Sequence, residues 1–167
     1  MSFEDQVAPL AGGVILSLLT ILFGFSLGGI FGALESGFKP MMRAKGAKVL
    51  DTVYGGDEAA LTAAVNRGWK YAIRGHLHGG AIGTSSLVSI LLLAMLGEPG
   101  WFEQVCAWAL GAGGMLYSAY WILAGFRVPL TGDGKTAKES LWYIAIPGAG
   151  LCLGGLAGTI LAFILAL

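Results

Sequence analysis

Apolar positions along this chain fall into four long blocks rather than into a helical or strand-like alternation with polar residues. The blocks run from about Ala8 to Leu34, Ala72 to Leu96, Trp101 to Val128 and Leu141 to Leu167. Each is long enough to cross a ~30 Å hydrocarbon core, which takes about 20 helical residues. Strict period-two alternation is absent, so a membrane barrel is not expected. Helices satisfy their backbone groups internally in lipid and are the default. The sequence therefore predicts an all-α integral membrane protein, a single domain built as a four-transmembrane-helix bundle.

Composition agrees. The 167 residues are 56% hydrophobic and only 12% charged, where soluble domains carry about 25% charged residues. Net charge is zero, which gives no reason to expect a nucleic-acid partner. The N-terminal stretch Met1 to Gln6 carries Glu4 and Asp5 instead of a basic region. The first block is thus expected to remain as a span and not to act as a cleaved signal. Cys106 and Cys152 lie inside apolar runs; two isolated cysteines form no zinc or disulfide framework and are expected to pack.

Charge placement orients the chain. Seven of the ten cations lie between the first two blocks: Lys39, Arg43, Lys45, Lys48, Arg67, Lys70 and Arg74. The others, Arg127, Lys135 and Lys138, lie at the junction of the third and fourth. The positive-inside rule puts both regions in the cytoplasm and both termini outside. An even number of spans gives the same answer. The expected location is the inner (cell) membrane of a bacterium, with lipid, and either further copies or partner membrane subunits, as neighbours.

The segment 35–71 is too long for a simple connection. Pro40 suits the first turn of a helix. Gly55-Gly56 breaks the run, and Asp57 is placed to cap a second helix leading into span two. A cytoplasmic helical hairpin between helices 1 and 2 is predicted, covering the bundle or docking a partner.

Glycine is unusually frequent, at 28 residues. Gly24, Gly28 and Gly32, then Gly75, Gly79 and Gly83, then Gly150, Gly154 and Gly158 recur every fourth residue. In lipid such ridges let backbones approach and gain dispersion contacts, within the chain or between copies. Glycine also clears room for a flat cofactor.

Candidate chemistry is sparse. The two histidines are His76 and His78, near the start of span two. Imidazole is the commonest metal ligand, and ionisable groups at a membrane span default to functional hypotheses. In a regular helix residues two apart point about 200° from each other. One ion is shared by both rings only if Gly75, Gly79 and Gly80 distort the helix. Glu35, ending span one, is expected at the same depth, as a ligand or as the acceptor of an imidazole N–H. Met41, Met42 and Met115 supply thioethers suited to haem iron or copper. The candidate metal site is Glu35, His76 and His78, and the candidate cofactor ligands are His76, His78 and Met115. Because no second span carries a histidine, bis-histidine haem requires a second chain. Ser85, Ser86 and Ser89 are expected to hydrogen-bond between helices. Tyr117, Ser118 and Tyr120 are expected to pack. No catalytic constellation is present, so a non-catalytic subunit is expected.

The run Gly-Gly-Ile-Phe-Gly-Ala-Leu-Glu35, followed by Gly-His76-Leu-His78-Gly-Gly-Ala-Ile-Gly83, resembles small bacterial four-helix membrane proteins with a His-x-His motif. These are similar to a fragment of the haem–copper oxidase main subunit. The resemblance covers about a third of the chain and implies a haem or copper site at His76 or His78; the function expected first is a subunit that binds haem b or a transition metal, copper or iron, there and serves electron transfer. The oxidase's further histidines are absent, so oxygen chemistry is not expected. Two other functions fit the same residues: a structural or assembly subunit, or a small channel, that oligomerises through its glycine ridges, and a small-molecule or ion transporter gated by Arg74, His76 and Glu35.

Overall fold

The computed structural model describes residues 2–166. Helix α1 (Phe3–Val7) opens on a reciprocal cap. The Asp5 N–H donates to the Ser2 hydroxyl at 3.2 Å, and the Ser2 N–H donates to the Asp5 carboxylate at 2.9 Å. This satisfies donors that would otherwise be orphaned at a helix start. A tight turn, Ala8–Leu10, leads into α2 (Ala11–Ala47). Short α3 (Leu50–Tyr54) ends at Gly55 and Gly56, with φ of +58° and +82°. Left-handed backbone of this kind favours glycine. Asp57 then caps α4 (Glu58–Met95), accepting from the Ala59 and Ala60 N–H groups at 2.8 and 3.0 Å. Helix α5 (Trp101–Thr131) ends at Gly132, with φ +72°. Asp133 caps α6 (Gly134–Glu139), and α7 (Trp142–Ala166) closes the fold.

The described residues are 91% helix with no strand, and four helical stretches are long and apolar enough to cross a membrane. At ~1.5 Å per residue, the 38-residue α4 is about 57 Å long, well beyond the ~30 Å of a hydrocarbon core. Segment 35–71 is thus largely the continuation of α2 and α4 rather than a separate insertion. The expected helix start at Pro40 is not observed: Pro40 lies well inside α2, and the break falls earlier, at Leu34 (φ −122°, ψ 22°). Ser36 and Gly37 lie between the break and a proline that withholds its N–H, two recognised causes of a kink.

α5 is the central helix, packing against α2, α4 and α7, while α2 and α4 run along each other and α7 touches α4 only slightly. Glycines set the closest approaches. A Cβ on Gly79 would stand 2.8 Å from the Gly24 Cα, and one on Gly111 would stand 2.8 Å from the Gly13 carbonyl oxygen. One would stand 2.6 Å from the Cys152 backbone nitrogen if added to Gly113.

The extensions of α2 and α4 hold their own core of Phe31, Met42, Leu61, Val65, Trp69 and Ala72. They dock on the end of α5, where Ala64 packs with Val128 and with Ala137 of α6. The Tyr54 hydroxyl donates to the Pro129 carbonyl at 2.8 Å. Burial disfavours the charged form of the Tyr54 phenol, so its pKa lies above the usual value. Arg43 reaches across the two arms to Glu58 and to Thr62.

Candidate functional site

The two histidines sit on a regular stretch of α4; Gly75 and Gly79 beside them pack against neighbouring helices, while Gly80 faces open space and stays helical. A Cβ on Gly75 would meet Ile122, and one on Gly83 would meet Ile21. With the helix undistorted, the rings diverge as the ~100° step per residue requires. His76 faces α2, where a Cβ on Gly28 would stand 3.0 Å from its Nδ1, and the Phe31 ring lies edge-on at 6.2 Å. His78 faces α5, with the Tyr117 and Trp121 rings at 5.4 and 5.9 Å. Neither imidazole has a hydrogen-bond partner among the described residues.

Glu35 does not join them. It follows the kink, is mostly exposed, and pairs with Lys39 one turn on at 2.7 Å. His76 meets α2 at Gly28, seven residues earlier, or about 10 Å along the axis. Met115 does not join them either. The adjacent Gly114 opposes Ile82, one turn past His78 and nearly two past His76. Met42 is fully buried in the apolar core of the helical extensions, whereas Met41 is exposed. Among the described residues no group of three or more His, Cys, Asp or Glu side chains is placed to hold a metal ion. The three residues considered as a gate also diverge, since Arg74 turns toward α5, His76 toward α2 and Glu35 toward Lys39.

Two crevices open on the outer surface of the bundle. The first, about 550 Å³, lies between α2 and α4 and is lined by Phe25, His76, Leu77, Gly80, Ala81 and Thr84. The second, about 390 Å³, lies between α4 and α7 with α5 as its floor; Ile82, Ser85, Tyr117, Ala149, Cys152 and Leu156 are among its walls. Of the three serines beside it, only Ser86 bonds across helices, donating to the Leu110 carbonyl at 3.2 Å. Ser85 and Ser89 donate to carbonyls of their own helix, Ala81 and Ser85, at 2.9 Å.

At one end of the second crevice is an aromatic cluster that sequence reading did not assemble. The Arg74 guanidinium lies 5.5 and 5.4 Å from the Tyr71 and Trp121 ring centres. The Lys138 ammonium lies 5.8 Å from Tyr71. Tyr120 and Tyr117 pack on Trp121, whose indole N–H is buried without an acceptor among the described residues. The signal was present along α4. Arg74, His78, Ile82, Ser85 and Ser89 recur at three- and four-residue steps and so share one helix face. Beside this cluster, Asp133 is half-exposed, and its carboxyl is held below the usual carboxylate range chiefly by the Thr136 N–H it accepts.

No family model matches this chain, and no curated protein or solved structure is significantly similar to it.

Proposed function

We propose that this chain is a non-catalytic membrane subunit that offers His76 to a haem b or a transition-metal ion, copper or iron, held between it and a second membrane chain for electron transfer. The observation that supports this is the position of His76. Its imidazole lines an outward-facing crevice of about 550 Å³ and has no protein partner. Gly28 leaves the ring its space, and Gly29 and Gly32 nearby on α2 pack on nothing among the described residues. His78 faces α5 and Met115 is too far along the bundle, so a second axial ligand comes from the other chain, either a second copy or a different subunit. The four apolar helices cross the bacterial cell membrane in this reading, with the basic helical extensions in the cytoplasm and both termini outside.

A visible spectrum and elemental analysis of the natively purified complex test the proposal. A Soret band or stoichiometric copper or iron is expected, lost in His76→Ala and retained in His78→Ala. A folded, colourless and metal-free complex overturns it. Labelling of cysteines placed at Gly55–Gly56 tests orientation separately; access from outside the cell overturns the cytoplasmic placement.

A second reading rests on a different observation. Gly29, Gly32 and Gly37 on α2, with Gly150 and Gly154 on α7, have no atom within 4 Å of where a Cβ would stand. The windows that make these helices candidate spans are only 22% and 17% buried. Bare faces of this kind suit close helix association in lipid, as in an assembly subunit. That reading predicts intact complexes in both histidine variants and smaller ones in Gly154→Leu.

A further inference from the structure

The crevice between α4 and α7 joins an apolar slot to a cationic head. Its slot runs along α4 from Ala81 to Ser89, about 12 Å at the helical rise. One leaflet of a ~30 Å hydrocarbon core is about 15 Å deep, so the slot has the length of one acyl chain. Its lining is aliphatic apart from the serines, Tyr117 and Cys152, and two of those three serines satisfy their hydroxyls within α4.

The head lies at the Tyr117 end. Tyr117 touches Trp121, with ring centres 6.3 Å apart, and Arg74 and Lys138 both stand over the aromatic rings beyond. Neither cation has a carboxylate within 4 Å among the described residues. The nearby acids are engaged elsewhere: Asp133 with Arg67 at 3.8 Å and as the cap of α6, and Glu139 with Lys135 at 3.8 Å. Two cations without a carboxylate partner and three tyrosines gather around Trp121, and this cluster adjoins the alkyl-sized slot through Tyr117, the one member that lines it. Arginine and lysine pockets between membrane helices suit anionic head groups, and arginine suits phosphate in particular.

We propose that this crevice is a binding site for an anionic phospholipid, with one acyl chain between α4 and α7 and the phosphate held by Arg74 and Lys138. The site opens between α4 and α7 and shares only Ala81 and Ser85 with the His76 crevice; it uses no haem ligand and does not depend on the haem reading.

Native mass spectrometry of the full chain in mild detergent, titrated with phosphatidylglycerol or phosphatidylcholine, tests it. The wild type is expected to prefer phosphatidylglycerol by about thirtyfold, from roughly equal contributions of two cations. Arg74→Gln with Lys138→Gln is expected to bring phosphatidylglycerol down to the phosphatidylcholine level, while Lys48→Gln, a cation lost elsewhere, leaves it unchanged. Ala149→Phe fills the slot and is expected to weaken both lipids. Inorganic phosphate at millimolar concentration is expected not to displace the lipid. Equal retention of the two lipids by the wild type overturns the proposal. So does undiminished phosphatidylglycerol binding in the double variant, or displacement by phosphate, which marks a site for the free anion. If the double variant does not fold, as judged by its thermal transition, Lys138→Gln and Ala149→Phe carry the same test separately.

Discussion

The seam between α2 and α4 and the outer face of α7 look alike in sequence and behave differently in the fold. Both carry glycines every fourth residue. In the seam, Gly24 and Gly79 bring two backbones into contact, and Gly28 makes room for His76. On α7, Gly150 and Gly154 face open space, and α5 instead packs on Gly148, Gly155 and Gly158. Spacing identifies which helix faces are flat, but only the rotation of each helix decides which flat face is used. Unused glycine in a helix interior costs roughly 1 kcal/mol relative to alanine, so the bare α7 stripe is a standing cost to the isolated chain and an opportunity for a partner.

This contrast is open to direct attack by substitution, read out as unfolding of the purified chain in mixed micelles. The largest effect is expected for Gly79→Leu. Its Cβ would stand 2.8 Å from the Gly24 Cα, and backbone cannot swing aside as a side chain can, so a loss of about 3 kcal/mol or more is expected. Gly155→Leu comes next. It meets the Leu110 Cγ at 2.8 Å and the Cys106 carbonyl at 3.0 Å, and on this more lightly packed helix a loss of about 1–3 kcal/mol is expected. Gly28→Ala is expected to stay within about 1 kcal/mol of wild type, because the 3.0 Å neighbour is the movable His76 ring and alanine recovers helix propensity. Gly154→Leu closes the series with no more than about 0.5 kcal/mol. If Gly154→Leu destabilised the chain as much as Gly155→Leu, the assignment of used and unused stripes on α7 would be wrong.

The histidines teach the same lesson on a smaller scale. Their two-residue spacing already requires divergent rings on a regular helix. α4 is regular there: Gly75 and Gly79 are each held by a neighbouring helix, and Gly80, though unpacked, keeps helical backbone. The expected convergence of Glu35 with the rings failed for a reason of length. α2 passes Gly28 at the level of His76 and has seven more residues to run, through a kink, before it reaches Glu35. A shared position near the ends of two apolar blocks does not fix depth to better than a few turns.

The chain's own sequence determined four long apolar helices, the break at Gly55-Gly56 and the cap at Asp57. These follow from local physics: an apolar run of sufficient length, a positive φ and a side-chain acceptor one turn from orphaned N–H groups. The sequence also placed the second arm of segment 35–71 in one helix with span two, whereas the structure decided that α2 continues through the first arm, with Pro40 inside a helix. It also decided that α5 is central, and that Arg74, His78, Tyr71, Trp121 and Lys138 gather in one cluster, which adjoins a crevice through Tyr117. Those outcomes depend on how helices rotate and cross, which is set by the sum of many weak contacts between residues far apart in the chain and leaves little trace in any single stretch of it.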